Sequence, residues 1–321
     1  MKIKIAYTLL MCVLIMASVA GCSKAEPTPI STAAPTEATA EPAAVETVPP
    51  SAETSAPTAE PTSAPAVEAS VLPPDPQIIT ITTDDNFTLT GYYYPAAVEN
   101  APVVVLMHWM VGDHNDWNEV AVWLQNRGIK NPFENPGSET WWNPTWFPAV
   151  PAEKSYAVLT FSFRGCQPSP AGCQSAQRAN WLKDAQAVMQ FARGLEGVDP
   201  NRIAAIGSSI GADGAAYGCQ MLNEEFPGAC QGALSLSPGD YLGVSYVNTI
   251  KQLGSSDPAA AAWCLADPGE FKICESAVKS GNTAFESYSI TNGNHGNVLM
   301  SPDLDPLPMQ LILDFLDEVL K

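Results

Sequence analysis

Basic residues are scarce in this chain of 321 residues: 15 lysines and arginines stand against 34 aspartates and glutamates, and the formal net charge is −19. A chain with no basic stripe cannot neutralise many phosphates, so a nucleic-acid partner is not expected. Electrostatic adhesion to anionic lipid is disfavoured for the same reason. The sequence also has only three histidines and no C-x-x-C motif. These two absences argue against a zinc site, and we expect no metal and no organic cofactor.

Residues 23–77 lack glycine, phenylalanine, tryptophan and tyrosine altogether and contain 12 of the 29 prolines. A segment without aromatic residues cannot bury much of a core, and its Pro/Thr/Ala/Glu-rich composition favours an extended chain. We therefore interpret 23–77 as a disordered linker, or stalk. The remaining part, 78–321, is long enough for one large α/β domain or two small ones.

The first 22 residues have the layout of an export signal. Lys2 and Lys4 precede an apolar run, Ile5–Ala20, that is shorter than the ~20 residues a bilayer-spanning helix needs. The run ends in Val-Ala-Gly-Cys, which resembles the lipobox of bacterial lipoproteins. This resemblance implies a signal peptide over 1–22, a lipid on Cys22, and export with anchoring to the outer face of a bacterial membrane. An ordinary signal peptide or a short membrane anchor is the alternative.

Six cysteines lie in the part of the chain expected to fold. They form three sequence-local pairs: Cys166 with Cys173, Cys219 with Cys230, and Cys264 with Cys274. Six cysteines allow fifteen connectivities, and we favour pairing of neighbours because each pair flanks one apparent loop or helix. Disulfides are the default state in an exported protein, while zinc binding by these cysteines is the alternative.

Strand and helix patterns alternate through residues 78–321. Three apolar runs typical of buried strands, Val103–Met107, Ala157–Phe161 and Arg202–Ile206, are each followed by a turn and a helical pattern. The other predicted elements are strands at Gln77–Thr83, Phe87–Tyr94, Gly232–Leu236, Ala261–Leu265 and Tyr288–Thr291, and helices near Asn115–Asn126, Ala179–Leu195 and Met309–Leu320. This alternation predicts an α/β fold with a mostly parallel, doubly wound sheet flanked by helices.

Ser209 is the candidate nucleophile. It lies in the G-x-S-x-G motif of residues 207–211, between a predicted strand and a helix of small residues that reaches Leu222. Glycines on both sides suit a strained strand-to-helix turn, which lifts a serine hydroxyl above the sheet and points a helix N-terminus at an oxyanion. A glycine-rich helix entry packed under the sheet would give the same pattern.

A serine nucleophile needs a base, and His295 is the candidate. It lies in a Gly/Asn-rich loop between the last predicted strand and the final helix. That position is at the carboxyl edge of the sheet, where ligands bind in open α/β folds. Of the other two histidines, His108 ends a predicted strand and His114 follows in the next loop. An exposed loop residue without a catalytic role is the alternative interpretation of His295.

These features occur in an order that resembles the α/β-hydrolase fold and, within it, the dienelactone-hydrolase-like branch. The order is a strand ending in histidine, an Arg-Gly turn, the G-x-S-x-G serine, an acid and a late histidine. Further matching segments are Val104–His108 with Gly112-Asp113, Phe163-Arg164-Gly165 and Gly197–Ile203. The resemblance covers about residues 78–321 and implies an α/β-hydrolase domain there.

The resemblance also implies an oxyanion hole. By position, its donors are the N–H groups of Met110 and Ile210. Trp109 stands where the family usually has glycine after the histidine of this loop, so the chain departs from the family pattern at that point.

The resemblance also implies an acid in the turn after the predicted strand Ala261–Leu265. Its register after a glycine favours Glu270, while the residue type commoner in this role favours Asp267 as the alternative acid. Asp240, after the preceding strand, is a third candidate. The acid would orient His295 and stabilise its protonated form.

An insertion, Asn131–Val150, precedes the strand at Ala157 and contains Trp141, Trp142 and Trp146 among several prolines. Proline-rich backbone predicts a structured loop rather than a strand or helix. The loop is either an aromatic wall or lid over the site, or a hydrophobic plug that covers the sheet or another loop.

The sequence as a whole predicts a secreted, membrane-tethered serine hydrolase that cleaves a small ester or lactone through an acyl-enzyme. One alternative is a non-catalytic surface module that binds peptide or glycan with its Trp-rich loop. Another keeps the same three residues for peptide cleavage or acyl transfer. Substrate identity and oligomeric state are left open, because fold membership does not name a function.

Overall fold

The computed structural model describes Leu72 and residues 74–130, 144–168 and 171–321. The predicted signal peptide, most of the predicted linker and residues 131–143 of the insertion lie outside the described residues. Within the described part, no helix is both long enough and apolar enough to cross a bilayer.

One eight-stranded sheet organises the described part of the chain. In chain order its strands are β1 (Gln77–Thr82), β2 (Thr88–Tyr94), β3 (Ala101–Met107), β4 (Ala157–Phe161), then β7 (Val198–Ser208), β8 (Cys230–Leu236), β9 (Ala261–Ala266) and β10 (Phe285–Ser289). Two short strands, β5 (Cys166–Gln167) and β6 (Gly172–Cys173), pair separately. The spatial order is β1-β2-β4-β3-β7-β8-β9-β10. Strand β2 is antiparallel to both of its neighbours, β1 and β4, and all pairs from β4–β3 to β9–β10 are parallel.

Helices cover both faces of the sheet. They are α1 (Asn118–Gln125), α2 (Trp181–Ala192), α3 (Ile210–Glu225), α4 (Tyr246–Ser255), α5 (Lys272–Val278) and α6 (Pro308–Val319). Strand β3 shows why both faces must be covered, because its residues are apolar on both sides. Val103, Val105 and Met107 belong to the core on the side of α2 to α5, while Val104 and Leu106 belong to the core on the side of α1 and α6. The prediction of a mostly parallel sheet flanked by helices is confirmed.

Two helices are missing from the sequence prediction, and the bounds of two strands differ by three residues or more. Strand β7 runs over Val198–Ser208 rather than Arg202–Ile206. The last strand is β10 at Phe285–Ser289, not Tyr288–Thr291. None of the residues of β10 is buried, whereas the following Ile290 is fully buried. A prediction based on apolar residues therefore places the strand too close to the C-terminus. Helices α4 and α5 were not predicted, because each is short and buries few apolar side chains.

The fold begins slightly before residue 78. Strand β1 starts at Gln77, which is the first residue of the predicted strand and the last residue of the predicted linker. Ahead of it, the buried side chain of Leu72 lies against Gly197, and the side-chain amide of Gln125 donates to the carbonyl oxygen of Pro74 at 3.0 Å. The end of the predicted linker therefore packs on the domain.

The three predicted cysteine pairs are bonded. Cys166–Cys173 joins β5 to β6, Cys219–Cys230 joins α3 to β8, and Cys264–Cys274 joins β9 to α5. Among the described residues, His108, Cys166 and Cys173 lie close enough together to be considered as metal ligands. The sulfurs of Cys166 and Cys173 are bonded to each other in a disulfide.

Candidate active site

Ser209 lies on a tight turn between β7 and α3. Its φ of 53° and ψ of −114° are outside the regions that most L-residues adopt. The two glycines of the motif are required by close approach of backbone: a Cβ on Gly207 would lie 1.8 Å from the Gly211 carbonyl oxygen, and one on Gly211 would lie 2.2 Å from the Met107 carbonyl oxygen. The Ser209 N–H donates to the Leu236 carbonyl at 2.8 Å, which fixes the turn to β8.

His295 connects the serine to a carboxylate. The Ser209 hydroxyl donates to His295 Nε2 at 2.8 Å, and His295 Nδ1–H donates to Glu270 at 2.8 Å to Oε1 and 3.0 Å to Oε2. Ser209 is 5% exposed, while the His295 and Glu270 side chains are 38% and 35% exposed. The hydroxyl, imidazole and carboxylate therefore form one hydrogen-bonded chain, the arrangement that activates a serine nucleophile.

Of the three candidate acids, Glu270 is the one that contacts His295. Asp267 has a different position: its carboxylate accepts from the N–H of Gly269 at 2.9 Å and of Asn294 at 3.3 Å. It thereby shapes the turn that carries Glu270 and ties this turn to the histidine loop. Asp240 accepts from the N–H of the first residue of α4 at 2.6 Å, so it fixes the entry of that helix.

His108 is a buried structural residue. Its Nδ1–H donates to the Trp109 carbonyl at 2.7 Å, and its Nε2 accepts from the Phe163 N–H at 3.0 Å. Burial lowers the pKa of His108 to about 4, so the ring is neutral at neutral pH and can serve as donor and acceptor at once. The ring therefore pins the end of β3 to the turn after β4.

Trp109, which replaces the expected glycine, is held in place on two sides. Its indole N–H donates to Asp116 Oδ2 at 2.8 Å. Its ring lies against Gly296, where an added Cβ would be 2.7 Å from Trp109 Cε3. Burial and, secondarily, the charge of Asp113 raise the pKa of Asp116 to about 7. Trp109 thus links the loop after β3 to the loop that carries the histidine, a role of Asp116 and Trp109 that the sequence did not indicate.

The two predicted oxyanion donors belong to different segments of the chain: Met110 follows β3, and Ile210 directly follows Ser209. Ile210 is the first residue of α3, so its N–H has no intrahelical acceptor and belongs to the positive end of the helix dipole. The Met110 carbonyl accepts from the Cys173 N–H at 2.9 Å, and the Met110 side chain is 39% exposed. Donation by these two N–H groups to an oxyanion stays a prediction.

Two further residues border the site without having been predicted. The ring of Tyr241 lies edge-on to His295, with 6.0 Å between centroids. Its loop is held by Asp213 of α3, which accepts from the N–H of Gly239 at 3.1 Å and of Leu242 at 3.2 Å. Burial raises the pKa of Asp213 to about 6. The sequence signal for the contact between Asp213 and the Tyr241 loop is the presence of an acid within a helix of small residues.

The described end of the Trp-rich insertion packs on α1. The Phe147 and Trp123 rings are tilted with centroids 5.3 Å apart, and the Trp123 indole N–H donates to the Pro148 carbonyl at 2.7 Å. These contacts are of the kind expected for a segment that docks on another element. Trp141 and Trp142 of the predicted wall or lid lie outside the described residues.

Solved structures with the same architecture include esterases and hydrolases. An esterase of Pyrococcus furiosus superposes with a TM-score of 0.53 and 16% identity, covering 77% of this chain and 92% of its own. The 2,6-dihydroxy-pseudo-oxynicotine hydrolase superposes with a TM-score of 0.51 and 12% identity, covering 77% of this chain and 68% of its own. Together with the sheet order and the serine turn, these similarities show that the chain has the α/β-hydrolase fold.

Sequence comparison adds little about activity. No protein-family model matches the chain. Two uncharacterized proteins of Mycobacterium tuberculosis are 29% identical to it over 144 residues, which are 44% of this chain and 40% of each relative. The similarity therefore spans less than half of the curated relatives it matches.

Proposed function

We propose that residues 78–321 form a serine hydrolase that cleaves a small, uncharged carboxylic ester or lactone through an acyl-enzyme on Ser209. The observation that carries the proposal is the continuous hydrogen-bonded chain from Ser209 Oγ through His295 to the Glu270 carboxylate. A serine hydroxyl is a weak nucleophile on its own, and an adjacent base that can take its proton makes it reactive at neutral pH.

The first half of the proposed reaction forms the acyl-enzyme. His295 Nε2 takes the hydroxyl proton as Ser209 Oγ attacks the carbonyl carbon, and the carbonyl oxygen becomes an oxyanion. The N–H groups of Ile210 and Met110 donate to this oxyanion. The intermediate collapses as the bond to the alcohol oxygen breaks, and protonated His295 gives its proton to the leaving alkoxide. Glu270, which accepts from Nδ1–H, favours the protonated ring throughout.

The second half of the reaction releases the acid. A water molecule loses a proton to His295 Nε2 and attacks the acyl carbon, and the oxyanion is held by the same two N–H groups. The ester bond to Ser209 Oγ then breaks, and the proton on His295 returns to that oxygen. The partial exposure of the His295 side chain, 38%, leaves room for this water to approach.

The surroundings of the site favour an uncharged substrate with an apolar part. Met110 and Val111, in the loop after β3, expose 39% and 51% of their surface. The ring of Tyr241 lies beside His295. Residues 78–321 hold 12 basic and 26 acidic residues, so their negative potential disfavours anionic substrates.

We further propose that the enzyme is exported and tethered to the outer face of a bacterial membrane through a lipid on Cys22. The support is the sequence alone: a basic start, a short apolar run and a cysteine after Val-Ala-Gly. Expression of Cys22→Ser beside the wild type tests this proposal. The wild type is expected in the membrane fraction and the variant outside it, and equal membrane association of both would contradict the lipid anchor.

Hydrolysis of a short p-nitrophenyl ester tests the proposed activity. We expect Ser209→Ala to lower kcat/KM by about a thousandfold or more, because removal of a serine nucleophile leaves little beyond binding and the oxyanion hole. Ser208→Ala is the matched control, since Ser208 is the adjacent serine and is fully buried. Equal turnover by the wild type and Ser209→Ala would contradict the proposal. Product analysis with added alcohol or amine distinguishes hydrolysis from acyl transfer, and a peptide substrate tests for proteolysis.

A further inference from the structure

We propose that the Cys166–Cys173 disulfide positions the oxyanion loop, defined as residues 109–112, so that its reduction slows acyl transfer while the fold persists. This inference rests on the proposed function. The residues joined by this bond are positioning residues, because they act on the reaction through the backbone of Met110.

The strand pair β5–β6 holds the oxyanion loop by direct backbone contact. The Cys173 N–H donates to the Met110 carbonyl at 2.9 Å. Cys173 Sγ lies 3.9 Å from the Trp109 carbonyl oxygen and 3.8 Å from the Gly112 carbonyl oxygen. A single residue of β6 therefore touches the beginning, the middle and the end of the loop.

The other half of the disulfide is attached to a rigid part of the domain. The Cys166 N–H donates to the Phe163 carbonyl at 3.0 Å, and the Gln174 N–H donates to the Gly165 carbonyl at 3.0 Å. The turn formed by residues 163–165 is itself fixed to α2. Arg164 is buried, and its N–H and guanidinium both donate to Asp184 of that helix. The bond between Cys166 and Cys173 thus ties the loop to the sheet and to α2.

The contacts of the Trp109 carbonyl set the direction of the Met110 N–H. These two groups belong to one peptide unit, and in a planar trans peptide the C=O and the N–H point in opposite directions. The Trp109 carbonyl accepts from His108 Nδ1 at 2.7 Å, so it points toward the His108 ring and Cys173 Sγ. The Met110 N–H is consequently directed away from the buried histidine. Loss of the disulfide would remove the tie through β6 and leave this peptide unit held by the His108 hydrogen bond.

A reductant can reach this disulfide first, because the other two disulfides are buried. Cys166 and Cys173 are partly exposed, whereas Cys219, Cys230, Cys264 and Cys274 are at most 1% exposed. A small dithiol attacks one sulfur, forms a mixed disulfide and then closes on itself. The protein bond gains two electrons and two protons to become two thiols, and the dithiol becomes a cyclic disulfide. Oxidation reverses the exchange.

Graded treatment of the full chain with dithiothreitol, followed by its removal, tests the inference. We expect selective reduction of Cys166–Cys173, shown by thiol alkylation and peptide mapping, to lower kcat for a p-nitrophenyl ester about tenfold or more with little change in KM. The affinity for a trifluoromethyl ketone, whose adduct needs the oxyanion hole, should fall by a similar factor. Reoxidation should restore both. The double variant Cys219→Ser/Cys230→Ser is the control and should keep its kcat.

A pair of glycine variants tests the same contact with the disulfide intact. A Cβ on Gly172, whose φ is +59°, would lie 2.8 Å from the Met110 carbonyl oxygen and 3.1 Å from Val111 Cα. A Cβ on Gly128, whose φ is +67°, would meet nothing within 4 Å. Gly172→Ala and Gly128→Ala therefore share the backbone strain, but we expect only Gly172→Ala to lower kcat and ketone affinity.

The outcomes separate this inference from the proposed function. An active oxidised wild type whose kcat is unaffected by reduction of Cys166–Cys173 would overturn the positioning role and leave the proposed function standing. Equal losses of kcat after reduction of Cys166–Cys173 and in the Cys219→Ser/Cys230→Ser variant would also overturn it, because the effect would then be general destabilisation. An oxidised wild type that turns over no ester would instead refute the proposed function.

Discussion

At the scale of single residues, the turn after β9 decides which acid reaches the histidine. Asp267 is turned back on its own loop, where it accepts from the N–H groups of Gly269 and Asn294. Glu270 is longer by one methylene, stands three residues further on and reaches His295 Nδ1 with both oxygens. The aspartate, the commoner residue type in this role, therefore shapes the turn, and the glutamate is the acid that contacts the histidine.

Glu270→Gln should lower kcat/KM for a p-nitrophenyl ester by about a hundredfold or more. Glutamine cannot stabilise the protonated ring and can hold His295 in the wrong tautomer. Asp267→Asn is the matched control: it keeps one acceptor oxygen, so a loss of less than about tenfold is expected. The opposite ranking of the two variants in steady-state kinetics would show that Asp267 is the functional acid.

Asp116→Asn should change how stability depends on pH. The carboxyl of Asp116 titrates at its ordinary value of 3.8 in the unfolded chain and, because of burial, near a pKa of about 7 in the fold. Between these two pKa values the folded state binds more protons than the unfolded state. The contribution of Asp116 to the free energy of unfolding therefore falls as pH rises through this window.

The asparagine variant stays neutral and can still accept from the Trp109 indole N–H. We expect it to lose this part of the pH dependence and to be more stable than the wild type above a pH of about 7. Urea unfolding at several pH values measures the difference. Parallel stability profiles for the two proteins would mean that Asp116 is not held protonated by burial.

At the scale of elements, the junction of β7 and α3 is where sequence and structure agree most closely. The G-x-S-x-G spacing predicted a turn too tight for side chains, and the backbone contacts of Gly207 and Gly211 show why. Such a turn is local, so a few adjacent residues encode it. Helices α4 and α5 are short and the edge strand β10 is only partly buried, so tertiary packing contributes more to their bounds than any local motif does.

Gly207→Ala should destabilise the fold by about 3 kcal/mol or more, because the added methyl would overlap the Gly211 carbonyl. Gly194→Ala is the control, since a Cβ there would lie 3.6 Å from the Phe191 carbonyl oxygen, which is an ordinary contact. Thermal unfolding compares the two variants with the wild type. Equal stability of Gly207→Ala and Gly194→Ala would contradict the packing of this turn.

At the scale of the whole molecule, the contacts that complete the site join parts of the chain that are far apart in sequence. The fold and the serine, histidine and glutamate could be predicted from ordered motifs. The packing of Trp109 on Gly296 and the contact of Cys173 with Met110 could not, because neither residue type nor spacing encodes a meeting across so many positions. The acidic composition is also a property of the whole molecule, and it bears on substrate choice.

An anionic ester should be a poor substrate whose kcat/KM rises with salt. The net negative charge of residues 78–321 repels it at low ionic strength, and salt shortens the Debye length to about 10 Å at 0.1 M. An uncharged ester with the same leaving group is the control and should change little. Stopped-flow or steady-state rates across a salt series measure both, and a fall in the rate for the anionic ester would contradict a repulsive field.

The most direct test of the central claim is to label the folded protein with a fluorophosphonate and locate the adduct by mass spectrometry. We expect one phosphonyl group per chain, carried by Ser209, because Oγ attacks phosphorus as it would attack an acyl carbon. Labelling should slow in the presence of a competing ester and be absent in Ser209→Ala. A folded wild type that takes up no label, or a Ser209→Ala variant labelled at the same rate, would contradict the account.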